Sequence, residues 1–454
     1  MRILLITIKE GMTALKRLIL LVILVIVFII GKADIVDAFN FNEKIYKNVY
    51  IDNIDLSGLT REEAKQKVNS YIKENRCFVL IYKNQEILIN KSKFDVDYKV
   101  DNLVKQAYKV GRSEDIISDI KTRISLRRGD KKIIPFDCSY SISKIDKLIE
   151  DLNSKIYIAP VDATAEISNG EIIVTEDSYG QTIDKNKLKG IIIYKIKNLN
   201  CEKVEIPIKT IAPKYTYAQL KKINTLLGTY ETYFNPNNTN RVDNISVAAN
   251  STSNIIVNTD EKFSFNNILE STGARSKLKN APIILNGKPG RGLGGGICQV
   301  STTIYNAALY AGMDIVDVTN HSIPSLYANK GRDATVSYGY IDFVFQNKNK
   351  TPIIIYNQVF KGRIVSSIYG SGEDKKNIEI KTEVVKVIKN KKIYKQDSSL
   401  QKGTEVVEQE GKLGYTVNTF RLYKLDGEVL KKELINTSYY PPRDEIIKIN
   451  KWSF

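Results

Sequence analysis

The stretch GRGLGGGICQVSTT, Gly290 to Thr303, places five glycines in its first seven residues and then meets a cysteine. Beyond it, Ile297, Val300, Ile304, Ala307, Ala308 and Ala311 recur at helical spacing, and Gly312 supplies a C-terminal stop. Cys298 therefore falls in the first turn of a helix that follows a glycine loop. The macrodipole and the free N–H groups of such a turn favour negative charge, so a thiolate is easier to form there. The same N–H groups, from Gly295 and Gly296 through Ile297 to Gln299, suit the oxyanion of an acyl-transfer intermediate. Gln299 can also be expected to face the substrate, with Ser301 a capping residue.

His321 is the only histidine of the chain and lies 23 positions after Cys298. A helix from Cys298 to Ala311 rises about 20 Å at roughly 1.5 Å per residue. The segment DIVDVTNH, 314–321, reads as a strand that covers about 23–26 Å. Doubling back along the helix, it would return His321 to the level of the thiol. That is the arrangement of a cysteine nucleophile with a histidine base. Asp333, in GRDATV, comes twelve residues later and precedes what reads as a long strand, TVSYGYIDFVF (335–345). It is the first candidate to orient the imidazole; a turn or cap carboxylate is the alternative.

Other chemistries fit poorly. Gly290, Gly292 and Gly295 match G-x-G-x-x-G, with Asp314 or Asp317 near the acidic position, but the surrounding βαβ repeats of a dinucleotide fold are missing. No Walker loop or G-x-S-x-G elbow occurs. The four cysteines, Cys77, Cys138, Cys201 and Cys298, form no CxxC pair, and with one histidine they match no common zinc spacing. Neither a metal nor a cofactor is expected. Cys77, Cys138 and Cys201 read as ordinary packed thiols, though a Cys138–Cys201 bridge stays compatible with the sequence.

With 454 residues, 43% hydrophobic and 26% charged, the chain is globular and long enough for about three domains. Its formal charge of +17 calls for an anionic partner. The basic residues are scattered, mostly Lys, and rarely interleaved with aromatics in one stripe, which argues against nucleic acid. An anionic membrane or wall surface fits better. Leu18 to Gly31 (LILLVILVIVFIIG) is an uncharged apolar run between Arg17 and Lys32. It reads as an uncleaved signal anchor, its Lys9, Lys16 and Arg17 side cytoplasmic; its short length leaves a cleaved signal peptide as the alternative. Either way the body of the chain is exported, in the first case as a single-pass protein of the cell membrane. Nothing in the sequence sets an oligomeric state.

Two segments before residue 212 resemble each other. The first has a capping box at Thr60–Glu63, the helix REEAKQKVNSYIKEN, and a hairpin FVLIYKNQEILIN turning at Asn84-Gln85. The second has the helix SKIDKLIEDLNSKI and a hairpin DATAEISNGEIIVT turning at Asn169-Gly170. Short helices, LVKQAYKVGR and KLKGIIIYKIKN, follow the hairpins. After Gly370-Ser371-Gly372, alternating runs such as IEIKTEVVKVI and GYTVNTFRLYKL signal a small all-β module. The expected fold is thus multidomain α+β: residues 1–34 the tail and membrane anchor, 35–212 the duplicated α+β units, 213–372 an α+β catalytic domain with glycine loop and helix, and 373–454 the β module.

FSFNNILESTGAR (263–275), GLGGGICQVSTTIYNAALYAG (292–312), NHS (320–322) and GRDATV (331–336) together resemble the VanW domain, over roughly Ile245 to Gly372. DNLVKQAYKVGR and PVDATAEISNGEIIV resemble the peptidoglycan-binding domain that often precedes L,D-transpeptidase catalytic domains. The stretch from about Lys381 is similar to a G5 domain. Some VanW domains are understood as cysteine-dependent L,D-transpeptidases that make 3–3 cross-links in peptidoglycan. The resemblance implies Cys298 as nucleophile, His321 as its partner, and peptidoglycan stem peptides as substrate. A Cys-His peptidoglycan hydrolase and a non-catalytic wall-binding protein are the alternatives. The chain departs from the family pattern at NTDEKFSF, where Pro-Gly-Glu is usual, and at VTN before His321, where Arg-His-Pro is common.

Overall fold

The computed structural model describes residues 18, 43–168, 170–285 and 288–451. The membrane anchor expected at Leu18–Gly31 therefore lies outside the described residues, apart from Leu18. Among the described residues no helix is long and apolar enough to cross a membrane. The chain divides into two compact units: one runs to Ala159 and takes in Gly180–Ile211, the other holds Pro160–Tyr179 and everything from Ala212.

The first unit is α+β, as the sequence implies. Thr60 accepts the Glu63 N–H, and the Glu63 carboxylate accepts the Thr60 N–H at 2.8 Å, so the capping box is formed. The helix behind it, Arg61–Glu74, buries Ala64 and Val68 against Ile45, Val49, Leu103 and Val104. In the hairpin Cys77–Tyr82/Gln85–Asn90, Tyr82 pairs with Gln85. The turn residues are Lys83 and Asn84, at φ 45° and 64°, not Asn84-Gln85. A two-residue loop whose twist matches the strands needs positive φ at both positions, and that requirement moves the turn back by one residue. Helices Ile142–Ile156 and Lys185–Lys197 share a second core with this hairpin, in which Ile145, Ile149, Leu188 and Ile192 meet Phe78 and Leu80.

The hairpin of the second segment belongs elsewhere. Its strands Ala165–Ser168 and Glu171–Val174 lie in the second unit, where Ala165 and Ile167 are buried with Leu220, Ile223 and Ile354. Asn169 of its turn is outside the described residues. The internal likeness thus does not mark two separable modules.

The second unit is built around one helix, Ile297–Tyr310. Every residue from Gln299 to Leu309 is buried, as expected of a helix enclosed on all sides. One wall is an antiparallel sheet with strand order Thr225–Tyr233, Arg363–Gly370, Ile353–Phe360, Ile255–Val257. At Gly228 a Cβ would stand 2.4 Å from both Ala307 O and Ala311 N, so strand and helix meet backbone to backbone. Phe263 and Phe345 stack on another side with Phe343 tilted against both, and Tyr305 is edge-on to Phe343. The helix ends in a Schellman arrangement: Gly312 at φ 72°, its N–H on Leu309 O, and the Met313 N–H on Ala308 O.

Two expected strands are shorter than their sequences suggest. The return strand covers Asp314–Asp317 only, and the chain leaves the sheet before His321. The long strand expected over 335–345 is not formed. Ser337 bridges Ile341 across a tight turn with Gly339 at φ 76°, and the regular strand is Val344–Gln346. The glycine breaks the alternation. The C-terminal part is all-β: a three-stranded antiparallel sheet, Ile378–Ile388, Gly414–Leu425 and Glu428–Tyr440, and a second sheet of Lys392–Gln396, Glu445–Ile449 and Glu405–Gln409.

Candidate active site

Cys298 occupies the second position of the central helix, whose N-cap is Gly296 at φ 118°. The loop ahead of it admits no side chains. A Cβ on Gly295 would lie 2.6 Å from Pro282 O, and one on Gly296 would lie 3.0 Å from Arg241 O. Asn244, fully buried, ties the loop down: its Nδ2 donates to Gly295 O at 3.0 Å and to Lys279 O at 2.9 Å, and its Oδ1 accepts the Lys279 N–H. The Ile297 and Gln299 N–H groups turn to the carbonyls of Gly294 and Gly296. Among the described residues, those of Gly295, Gly296 and Cys298 donate to no other group.

The sulfur sits 3.5 Å from Val336 O and is half-buried against the core. His321 reaches the same end of the helix. Its Nδ1 is 2.7 Å from Oδ2 of Asp333, and the same oxygen accepts the His321 backbone N–H, also at 2.7 Å. Asp333 is 1% exposed, the imidazole 25%. A carboxylate on Nδ1 fixes the neutral ring with its proton on that nitrogen and leaves Nε2 free to exchange one with the thiol. The Tyr327 hydroxyl stands 3.4 Å from Nε2. The expected trio Cys298, His321 and Asp333 is therefore assembled at one place.

The helix itself positions the arm that carries Asp333. Ser301 Oγ donates to Ala334 O at 2.7 Å, and Thr302 Oγ1 accepts the Ala334 N–H at 2.9 Å. Asn306 donates to Arg332 O and accepts from Arg332 Nε. All three side chains are fully buried. Ser301, expected as a cap, thus helps hold the Asp333 segment while also bonding Cys298 O at 3.0 Å. Gln299, expected at the substrate, is 0% exposed. Its amide is spent on Thr232, Tyr233 O and Arg241, which anchors the helix start to the sheet. The sequence signal for this polar seam was a set of short hydroxyl and amide residues on a helix otherwise apolar.

Burial pulls the His321 pKa down, but the hydrogen bond to Asp333, then the contact and charge of Cys298, outweigh it and raise the pKa to about 9. At neutral pH the ring is an imidazolium beside the sulfur. Because the folded pKa lies above the ordinary 6.5, the linked stability is fully present below pH 6.5 and is lost as pH rises through about 9. His321→Gln should accordingly melt well below the wild type at pH 6 and approach it at pH 10. A constant difference across that range would refute the linkage.

The four cysteines are free, so Cys138 and Cys201 form no bridge. Burial pushes the Cys138 thiol up, away from reactivity. Among the described residues no three His, Cys, Asp or Glu side chains converge as a metal site.

A thiol at a helix start, an imidazole and a buried carboxylate thus lie together at the start of the central helix. Comparison with known families gives three matches: "VanW like protein" over residues 240–369, "Putative peptidoglycan binding domain" over 87–205, and "G5 domain" over 379–451. The chain is 37% identical over 229 residues to the uncharacterized protein YoaR of Bacillus subtilis, spanning 50% of this chain and 75% of that protein. It is 26% identical over 135 residues to the vancomycin B-type resistance protein VanW of Enterococcus faecalis, spanning 29% of this chain and 49% of that protein. The chain belongs to the same VanW-like family as YoaR. Similar solved structures include the HP0197 G5 domain (24% identity, 16% of this chain and 97% of that one, TM-score 0.12) and the IgA1 protease G5 domain (26% identity, 17% and 95%, TM-score 0.14).

Proposed function

We propose that the chain is a cysteine L,D-transpeptidase of the bacterial cell wall that forms 3–3 cross-links between peptidoglycan stem peptides. The observation that carries this reading is the Cys298 thiol at a helix start beside an imidazole anchored on a buried carboxylate. The sulfur attacks the carbonyl carbon of the third stem residue, and the developing oxyanion takes N–H groups from Gly295, Gly296 and Cys298. The imidazolium of His321 gives its proton to the departing D-Ala amine, leaving a thioester on Cys298. The side-chain amine of a second stem then attacks the thioester. His321 takes its proton back, the new amide bond forms and the thiolate is released. Gln299 acts by positioning the helix, not by touching substrate.

The peptidoglycan-binding and G5 matches on either side of the site favour a wall substrate, and so does the net charge of +17 against an anionic wall. They also support an extracytoplasmic location for the body of the chain. The test is incubation of the purified chain with tetrapeptide muropeptides, which should yield 3–3 dimers and free D-Ala. Trimmed monomers without dimers would identify a hydrolase, the same thioester discharged to water. Muropeptides bound but unaltered would leave a wall-binding protein.

A further inference from the structure

Tyr440 touches Asp333 on the side away from the imidazole. It ends the strand Glu428–Tyr440 in the C-terminal β module, 107 residues from Asp333 in sequence, and is 0% exposed. Its hydroxyl accepts the Gly331 N–H at 2.7 Å and donates to Oδ1 of Asp333. With a fixed N–H on its oxygen, the single hydroxyl proton is left to point at the carboxylate. Burial and the Asp333 charge push the Tyr440 pKa up, which keeps that proton in place.

We infer that Tyr440 is a positioning residue of the candidate site, holding the Asp333 carboxylate so that Oδ2 meets both N–H groups of His321. The C-terminal module is then one wall of the active site and not a detachable wall-binding appendage. The χ2 torsion of an aspartate is broad, so a carboxylate tied at one oxygen only can rotate off the ring. Tying Oδ1 removes that freedom.

Both arms of the site are bonded to the same sheet. Thr419 Oγ1 donates to Gly331 O at 2.7 Å, on the arm of Asp333. Asn320 Nδ2 donates to Tyr439 O at 2.9 Å, on the arm of His321. Arg421, 2% exposed, donates to Met313 O at 2.7 Å, just past the central helix. The titratable groups acting on the imidazole are Asp333 and Cys298, with the Tyr327 hydroxyl near Nε2; Tyr440 acts only through Asp333. The bearing of Tyr440 on acyl transfer rests on the function proposed above. Its effect on the imidazole does not.

Because the chain has one histidine, the ring titration of the untagged full chain, followed by NMR with isotope-labelled histidine, reads His321 alone. The wild type should titrate near pH 9. Tyr440→Phe keeps the ring packing and removes only the hydroxyl; its midpoint should fall by about one unit or more as the carboxylate loosens. Tyr439→Phe, at an exposed neighbour, should titrate as the wild type. Should Tyr440→Phe not fold, Thr419→Val slackens the same arm through Gly331 and should lower the midpoint in the same direction. An unchanged midpoint in the folded variant overturns the proposal, even where the wild type makes cross-links. A wild type that makes none, but shows the shift, overturns the transpeptidase reading and leaves the role of Tyr440 standing.

Discussion

Cys298→Ala is expected to give a folded chain that forms no 3–3 dimers. The stability cost should be small. The sulfur is half-buried, its one hydrogen bond is a weak contact of 3.5 Å to Val336 O, and alanine is the best residue for a helix turn. Losing one partly packed heavy atom costs roughly 1 kcal/mol. The chemical cost is of another order. Without a nucleophile there is no thioester, and the rate should drop by about 10⁴-fold or more, as when a covalent catalyst loses its attacking group. Cys298→Ser should fail nearly as completely, because a hydroxyl keeps its proton where a thiol gives it up. Cys77→Ala, Cys138→Ala and Cys201→Ala should stay active. A second measurement separates chemistry from packing: iodoacetamide at neutral pH should modify Cys298 much faster than the exposed Cys201. Cross-linking by Cys298→Ala at near wild-type rate would end the mechanism.

The part of this site that could be read from the sequence is the part made by local geometry. A glycine run, a 3.6-residue pattern and a stop at Gly312 fix where Cys298 sits on its helix. The length of a helix and its return brings the single histidine back to it. Asp333 was within reach because it follows His321 by one short excursion. What escaped is what arrives from afar. Tyr440 and Thr419 contact the Asp333 arm over separations of 107 and 88 residues, and no period or spacing links them to it. Asn244, which holds the glycine loop, lies on the helix Thr239–Ser251, 51 residues before the Gly295 it bonds.

Gln299 shows a different limit. Its position beside the nucleophile suggests substrate contact, but a helix residue next to a functional one points about 100° away from it. Here that direction is into the core, where Thr232, Tyr233 and Arg241 take up the whole amide. The segment 335–345 fails for a third reason. Its composition is rich in strand formers, but Gly339 at φ 76° turns the chain within it. Tertiary contacts then decide: Asp342 accepts the Asn266 N–H, and the Ser337 and Ile341 carbonyls accept the Asn266 amide.

Asp333→Asn should be strongly damaging although it leaves both the nucleophile and the imidazole in place. In the wild type every hydrogen bond of this buried carboxylate is accepted: two from His321 at Oδ2 and one from Tyr440 at Oδ1. An amide must put its NH₂ at one of those positions. Facing His321, it sets donor against donor at the backbone N–H. Facing Tyr440, it meets a hydroxyl that already accepts from Gly331 and whose own proton then has no acceptor. Either choice leaves a buried donor unpaired, at about 1–3 kcal/mol. The larger loss is electrostatic. Without the anion the largest influence raising the His321 pKa is gone, only the Cys298 contact and charge are left to oppose burial, and the pKa should fall below 9. The ring is then protonated less fully and free to hold its proton on either nitrogen, so the proton for the leaving amine is more often missing or misplaced. The turnover rate should fall about 10²- to 10⁴-fold, the range for a lost general acid–base step. Titration of the single histidine and the rate of dimer formation check the two halves separately. A variant that keeps more than a tenth of the wild-type rate, with His321 still titrating near 9, would reduce Asp333 to a turn carboxylate.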